Sequence, residues 1–458
     1  AVARRLQAAL APRLDALGVP PLLVAETGGL NALIADSSAL AEQLVPDVLA
    51  SAFDSAGQRC SALRVLCLQQ ENAEPVLRML QGALAELCVG RPDALATDVG
   101  PVIDDAARAA IEKHVLHMQA LGLRVTRQPL SERLREHGSF VAPTVVELEE
   151  LSQLPGEVFG PVLHVLRWRR EELDGLLQRI EATGYALTLG LHTRIDETIA
   201  LVTARARAGN QYVNRNMIGA VVGVQPFGGE GLSGTGPKAG GPLLVRRLCE
   251  RHAPALPAIG TPVAANGGAG FRLPALRALR GWLRDAMRED TALGVACDTL
   301  LAHGPAGLDV LLPGPTGERN RYALLPRRRV LCQAGDRGDL LFLLALVLAT
   351  DGRALWADST AARALHAALP VAVRERVALS ANPLGEDIDL AAAQDAPGRV
   401  LELSLALSQR DGPIVPLVAC PRGERDPALL PPERLMVERS LCVNTAAAGG
   451  NAGLMAME

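Results

Sequence analysis

The sequence carries almost no excess charge of either sign. Its 46 Lys and Arg against 50 Asp and Glu leave a net charge of −4. That balance gives no electrostatic footing for nucleic acid or an anionic membrane surface. One basic cluster, Pro326 to Leu331 ("PRRRVL"), is short and runs into apolar residues, so it reads as the solvated start of a strand. None of the eight cysteines (60, 67, 88, 249, 297, 332, 420 and 442) forms a C-x-x-C pair. Neither a zinc site nor a disulfide framework is supported, and a reducing, cytoplasmic setting is expected. Long apolar runs are missing too. The longest, Leu340–Ala349, is too short to cross a bilayer and reads as a buried strand or helix. Aromatic residues are only 3 % of the chain, a composition bias that carries no functional sign.

The 458 residues suffice for two or three domains with full cores. Helix-like and strand-like segments alternate. "PPLLVAE" reads as a strand ending at Gly28 and Gly29, and "SSALAEQLVPDVLASAF" as a helix. "ALRVLCLQ" reads as a buried strand. "DDAARAAIEKHVLHMQALG" reads as a helix capped by Asp104 or Asp105 and stopped at Gly122. "RIDETIALVTARARAG" predicts another helix, followed by the strand "NQYVNR". The Arg-rich opening loosely suggests a transit peptide, but an ordinary helix in a chain whose true beginning lies upstream is the preferred reading. A Pro/Gly/Ala-rich stretch at 253–275 reads as a linker, and a second α/β pattern follows it. The pattern as a whole predicts an α/β fold with a largely parallel sheet.

Cys60 lies in "SAGQRCSA", after a helix-like run and a glycine-led turn. No histidine stands in a recognisable Cys/His signature with it. His114 and His117 share a helix face, and without a third ligand an exposed face is expected rather than a metal site. A carboxylate is the better partner for the thiol. Glu26 precedes Thr27-Gly28-Gly29 at a strand-like end, where α/β sheets place active sites. Glu157 sits in "GEVFGP". Gly229 to Gly234 matches G-x-G-x-x-G, but it follows no clean strand and opens no ordinary helix, so a dinucleotide fingerprint is rejected.

Taken in order, "ETGG", "GQRCSA", "EVFGP" and "PFGG" followed by "SG" resemble the aldehyde dehydrogenase superfamily. Longer matches, "NQYVNRNMIGAVVGVQPFGGEGLSGTGPKAGGP" and the terminal "VNTAAAGGNAGLMA" among them, resemble its proline utilization A family. Those enzymes join a proline dehydrogenase to an L-glutamate γ-semialdehyde dehydrogenase. The resemblance implies an α/β aldehyde dehydrogenase catalytic domain, with its NAD-binding domain largely missing, followed by a Rossmann-like C-terminal domain. The implied boundaries are 1–26 for a remnant of the NAD-binding domain, 27–252 for the catalytic domain and 253–275 for the linker. Residues 276–438 would be the Rossmann-like domain and 439–458 a docked tail or lid.

It further implies that Cys60 is the nucleophile and Glu26 the general base. Glu157 would bind the nicotinamide ribose of NAD, with Phe159 beside it. Ser61, Gly219 and Ala220 would hold the substrate carboxylate, and Phe227 would wall its aliphatic part. The oxyanion-hole asparagine, a Gly-Ser-Thr turn and a proline dehydrogenase region with FAD are expected upstream. A homo-oligomer is expected as well. Two alternatives stay open here: a non-catalytic assembly or lid module, and a cysteine acyl-transferase or thioesterase that works without NAD.

Overall fold

The structure is a computed structural model that describes residues 2–249, 259–263, 273–286 and 290–446. Most of the expected linker and the tail beyond 446 lie outside these residues. The framework divides into two compact units. One comprises Thr27–Ser233, Pro313–Asn320 and the segment from Ser440. The other comprises Ala1–Glu26, Gly234–Leu312 and Arg321–Arg439.

The first unit is built on β1 (Ala32–Ala35), β2 (Val65–Gln69), β3 (Val125–Arg127), β4 (Thr144–Leu148), β5 (Val162–Trp168), β6 (Tyr185–Ala186), β7 (Thr188–His192) and β8 (Asn210–Val213). Seven of them run β8-β7-β1-β2-β5-β4-β3, all parallel except the β3–β4 pair. β1, β2 and β7 are buried at every position, as near-continuous apolar runs require when helices cover both faces. The short β6 pairs instead with Glu230–Gly231, so the rejected glycine fingerprint lies on a two-stranded antiparallel pair and opens no helix directly. Ser440–Val443, part of the strand Met436–Asn444, pairs parallel with β8 and extends this sheet from far down the chain.

The second unit contains a five-stranded parallel sheet. Its order is Val377–Ser380, Ala354–Ala357, Val330–Ala334, Leu390–Gln394, Leu417–Ala419. Leu340–Ala349 resolves as most of the helix Arg337–Ala349, buried along nearly its whole length and capped by Asp336. Two arginines of the basic cluster pair with acidic neighbours: Arg328 with Asp387 and Asp389, and Arg329 with Glu386. The chain opens with the helix Val2–Leu10, as expected of an ordinary helix. The strand expected over "PPLLVAE" is not formed. Only one bridge appears, from Glu26 to Gly234, because the pairing partner comes from residues far away in sequence. Among the described residues no helix is long and apolar enough to cross a membrane.

His114 also departs from expectation. It is half-buried, and its Nε2 lies 2.9 Å from Nε2 of His164, a wholly interior residue of β5. Nδ1 of His164 lies 3.0 Å from the Arg64 carbonyl oxygen. Burial pushes the His164 imidazole down from 6.5 to about 3, with the neighbouring His114 adding to the effect. The unfolded chain therefore takes up a proton at His164 below pH 6.5 that the folded chain refuses until far lower. Stability from this residue is present above 6.5 and is lost as pH falls towards 3, by about 1.4 kcal/mol per pH unit. Replacing His164→Gln should flatten the fall of unfolding free energy between roughly pH 6 and pH 4 by about one proton. Denaturant titrations at several pH values measure it, and parallel slopes would refute the assignment.

Candidate active site

Cys60 follows the helix Ala41–Phe53 and a tight turn through Asp54–Gly57. Three consecutive residues there are left-handed: Ser55 at φ 57°, Ala56 at φ 53° and Gly57 at φ 65°. Two of them carry side chains, so the turn costs conformational energy and persists only because its surroundings hold it. Gly57 has no alternative, because a Cβ there would sit 2.2 Å from the Gly160 carbonyl oxygen.

The holding group is Arg64, whose side chain is completely buried. Its Nη1 donates to the Gly57 carbonyl at 2.7 Å, and its Nη2 to the Arg59 carbonyl at 3.1 Å and to Oε1 of Glu157 at 3.1 Å. The guanidinium lies 5.1 Å from the Phe159 ring centroid. One buried cation thus binds the turn before Cys60 to Glu157 and Phe159. Burial pushes the Glu157 carboxyl up from its ordinary value, while Arg64 and the Gly29 N–H pull it back. Gly29 N donates to Oε2 at 3.3 Å, and a Cβ on Gly28 would collide with that oxygen at 2.4 Å. The glycines of "ETGG" are therefore what let the backbone approach Glu157 so closely.

Asn31 secures the other side of the thiol. It is buried, and its Nδ2 donates to the carbonyls of Cys60 at 2.7 Å and Ala62 at 2.9 Å. Its Oδ1 accepts from Thr188 N at 3.2 Å. Cys60 itself is exposed. Five other cysteines are buried, and burial pushes thiols such as Cys67 and Cys332 up to about 12, which leaves them inert at neutral pH. Cys88 is exposed and Cys249 half-buried.

Ser61 is buried, with its carbonyl accepting from Thr188 Oγ1 at 3.3 Å. Ser51, near the end of the helix Ala41–Phe53, ties two loops together. Its carbonyl accepts from Leu63 N at 2.9 Å, and its hydroxyl accepts from Met217 N at 3.1 Å. This anchors the loop that carries Gly219, exposed at φ 75°, and Ala220. Half-buried Phe227 is bracketed by Asn210, which donates to the Pro226 carbonyl at 2.9 Å and accepts from Gly228 N at 3.1 Å. Downstream segments buttress the same loop: Arg215 pairs with Glu318 and contacts Cys442 Sγ at 3.3 Å. Glu26 belongs to the other unit, where it is exposed on its bridge to Gly234.

Cys60, Glu157 and Phe159 are thus gathered around Arg64, with Ser61 and the Gly219 and Phe227 loops in the same unit. Sequence reasoning did not single out Arg64 or Asn31. The signal for Arg64 was a charged residue opening the apolar run of β2, which needs a buried partner.

The aldehyde dehydrogenase family model matches residues 6–252. The chain belongs to the aldehyde dehydrogenase family. It is 53 % identical over 467 residues to the bifunctional protein PutA of Escherichia coli, covering 99 % of this chain and 35 % of that protein. The chain therefore spans about a third of the length of such relatives. It is 34 % identical over 222 residues to a 1-pyrroline-5-carboxylate dehydrogenase of Bacillus mycoides, covering 48 % of this chain and 42 % of that one. The structure of proline utilization A from Corynebacterium freiburgense shares the fold, with a TM-score of 0.67 at 22 % identity over 97 % of this chain and 41 % of that one.

Removing the Asn31 amide leaves two carbonyls and one N–H without this partner. Asn31→Ala is expected to cost about 2–3 kcal/mol in denaturant unfolding. Unchanged stability would contradict the role given to it.

Proposed function

We propose that this chain oxidises L-glutamate γ-semialdehyde, the open form of pyrroline-5-carboxylate, to L-glutamate with NAD+, the second step of proline catabolism. Family membership and the named relatives support the reaction class. The observation that carries the reading is the accessible Cys60 thiol, on a strained turn fixed through Arg64 to Glu157.

The Cys60 thiolate adds to the aldehyde carbon, forming a C–S bond and placing negative charge on the former carbonyl oxygen. Arg64 and Cys60 interact electrostatically, and a nearby cation favours a thiolate over a thiol. NAD+ held beside Glu157 and Phe159 would supply the acceptor for the hydride of this carbon, which would leave the Cys60 sulfur carrying a thioester. Glu26 takes a proton from water, which attacks the thioester. The C–S bond breaks, glutamate leaves and the Cys60 thiolate returns.

Ser61 and the N–H groups around Gly219 and Ala220 receive the substrate carboxylate, and Phe227 walls its methylenes. A half-buried carboxylate with an exposed ring beside it, Glu157 and Phe159 (46 % exposed), suits the two hydroxyls and flat base of a nicotinamide riboside. On this reading residues 27–252 form the catalytic domain and 276–438 support assembly. The whole protein also carries an FAD-dependent proline dehydrogenase region, works in the cytoplasm and self-associates.

The test is NADH formation from glutamate semialdehyde by the protein that carries this chain. Cys60→Ala should lower the rate by ~1,000-fold or more, and Glu157→Gln should raise KM for NAD+. A Cys60→Ala protein of undiminished rate would refute the proposal.

A further inference from the structure

The helix Ala41–Phe53 does more than lead into the turn before Cys60. Gln43, Asp47 and Ser51 recur on it at every fourth residue, so they stand in one row on one face. Polar side chains set against a buried face need partners. This row finds them along one stretch of backbone, Asn214 to Met217. Nε2 of Gln43 donates to the Asn214 carbonyl at 2.8 Å. Burial pushes the Asp47 carboxyl up to about 6, against a hydrogen bond from the Asn216 N–H and the nearby Arg215 charge. The Ser51 hydroxyl accepts from Met217 N at 3.1 Å and donates to the Asp47 carbonyl at 2.6 Å.

The stretch so held is constrained from its other side as well. Asn214 is left-handed at φ 54°, its Oδ1 accepting from Thr193 N at 3.0 Å and its Nδ2 donating to the Thr193 carbonyl at 2.9 Å. A residue with a side chain keeps such a conformation only where its surroundings fix it. His192, buried in β7, backs the row, with Nε2 3.5 Å from Oδ2 of Asp47. Further on, Val221 N donates to Oε1 of Gln225 at 2.9 Å. The loop is therefore anchored on both sides of Gly219 and Ala220. Among the described residues the N–H groups of these two make no hydrogen bond, which leaves both for a ligand.

The same helix also places the thiol. Its end runs into the turn that presents Cys60, and the Ser51 carbonyl accepts from Leu63 N at 2.9 Å. Ser51 thus touches both the segment that follows Cys60 and the segment that leads to Gly219. One helix, rather than two independent loops, sets the span between the thiol and the loop tip. For an aldehyde that carries a carboxylate at its far end, that span selects the chain length.

We propose that Gln43, Asp47 and Ser51 are positioning residues that fix the Gly219 loop at a set distance from Cys60 and so select an aldehyde with a carboxylate head group. The inference rests on the dehydrogenase reading and adds to it the residues that impose specificity. They act through the loop, so loosening them weakens capture of the head group and leaves the chemical step alone.

Steady-state kinetics of the protein that carries this chain test it, with glutamate semialdehyde and with pentanal, which has the same carbon chain and no head group. Asp47→Ala should raise KM for the semialdehyde by ~5-fold, and the Gln43→Leu, Asp47→Ala double variant by ~10-fold or more. In both, kcat should stay within about 2-fold of the parent and kcat/KM for pentanal should not change. Asp47→Asn keeps an oxygen that accepts the Asn216 N–H, so its KM should return to within about 2-fold of the parent. Gln43→Leu alone alters only a half-buried side chain and should still raise KM by ~3-fold, which keeps the test decisive if the double variant unfolds. Unchanged KM in the variants, equal losses for both aldehydes, or no recovery in Asp47→Asn would each overturn this proposal while the dehydrogenase reading stands. A parent protein that forms no NADH from the semialdehyde would overturn both.

Discussion

Arg64 is a full positive charge with no access to water. An arginine cannot shed its proton to escape that cost, so its surroundings must answer the charge. They do so with the Gly57 and Arg59 carbonyls and the Glu157 carboxylate. Each answer fixes something chemical. The carbonyls fix the left-handed turn that presents Cys60, and the carboxylate fixes Glu157. The cation also interacts electrostatically with Cys60. Cys60, the turn before it and Glu157 are therefore parts of one electrostatic unit.

That unit is set in a rigid frame. β1, β2, β5 and β7 are parallel neighbours without a solvated face among them, so the loops that enter their amino ends have fixed end points. Asn31 reaches from the residue before β1 to the carbonyls around Cys60 and to the start of β7, locking three such loops together. Ser51 adds the Met217 loop. The frame is completed from the far end of the chain. Ser440–Val443 adds a strand beside β8, and Cys442 and Glu318 meet Arg215.

Much of this was legible in the sequence. The apolar runs around Cys67 and Tyr212, the Asp104 cap and the stop at Gly122 all announced their elements, because local periodicity and capping decide them. The family could be read as well, and Cys60, singled out by its motif, stands exposed. What stayed hidden depends on partners distant in sequence. The segment before Glu26 looked like a strand but finds a single bridge partner, at Gly234. His114 looked exposed until β5 placed His164 against it. Arg64 looked like one charge beside a strand until Glu157, on a separate loop, closed on it. The alternation of helix and strand announced a second α/β pattern, and its strands form the five-stranded parallel sheet of the second unit.

The central claim is that Arg64 and Glu157 act as one unit, and a double-mutant cycle tests it most directly. Unfolding free energies of Arg64→Met, Glu157→Gln and the double variant are compared with the parent. The account predicts that Arg64→Met alone costs ~3–5 kcal/mol and that the pair couples by about 2 kcal/mol or more, because removing one partner strands the other. Additive effects, with coupling near zero, would contradict it.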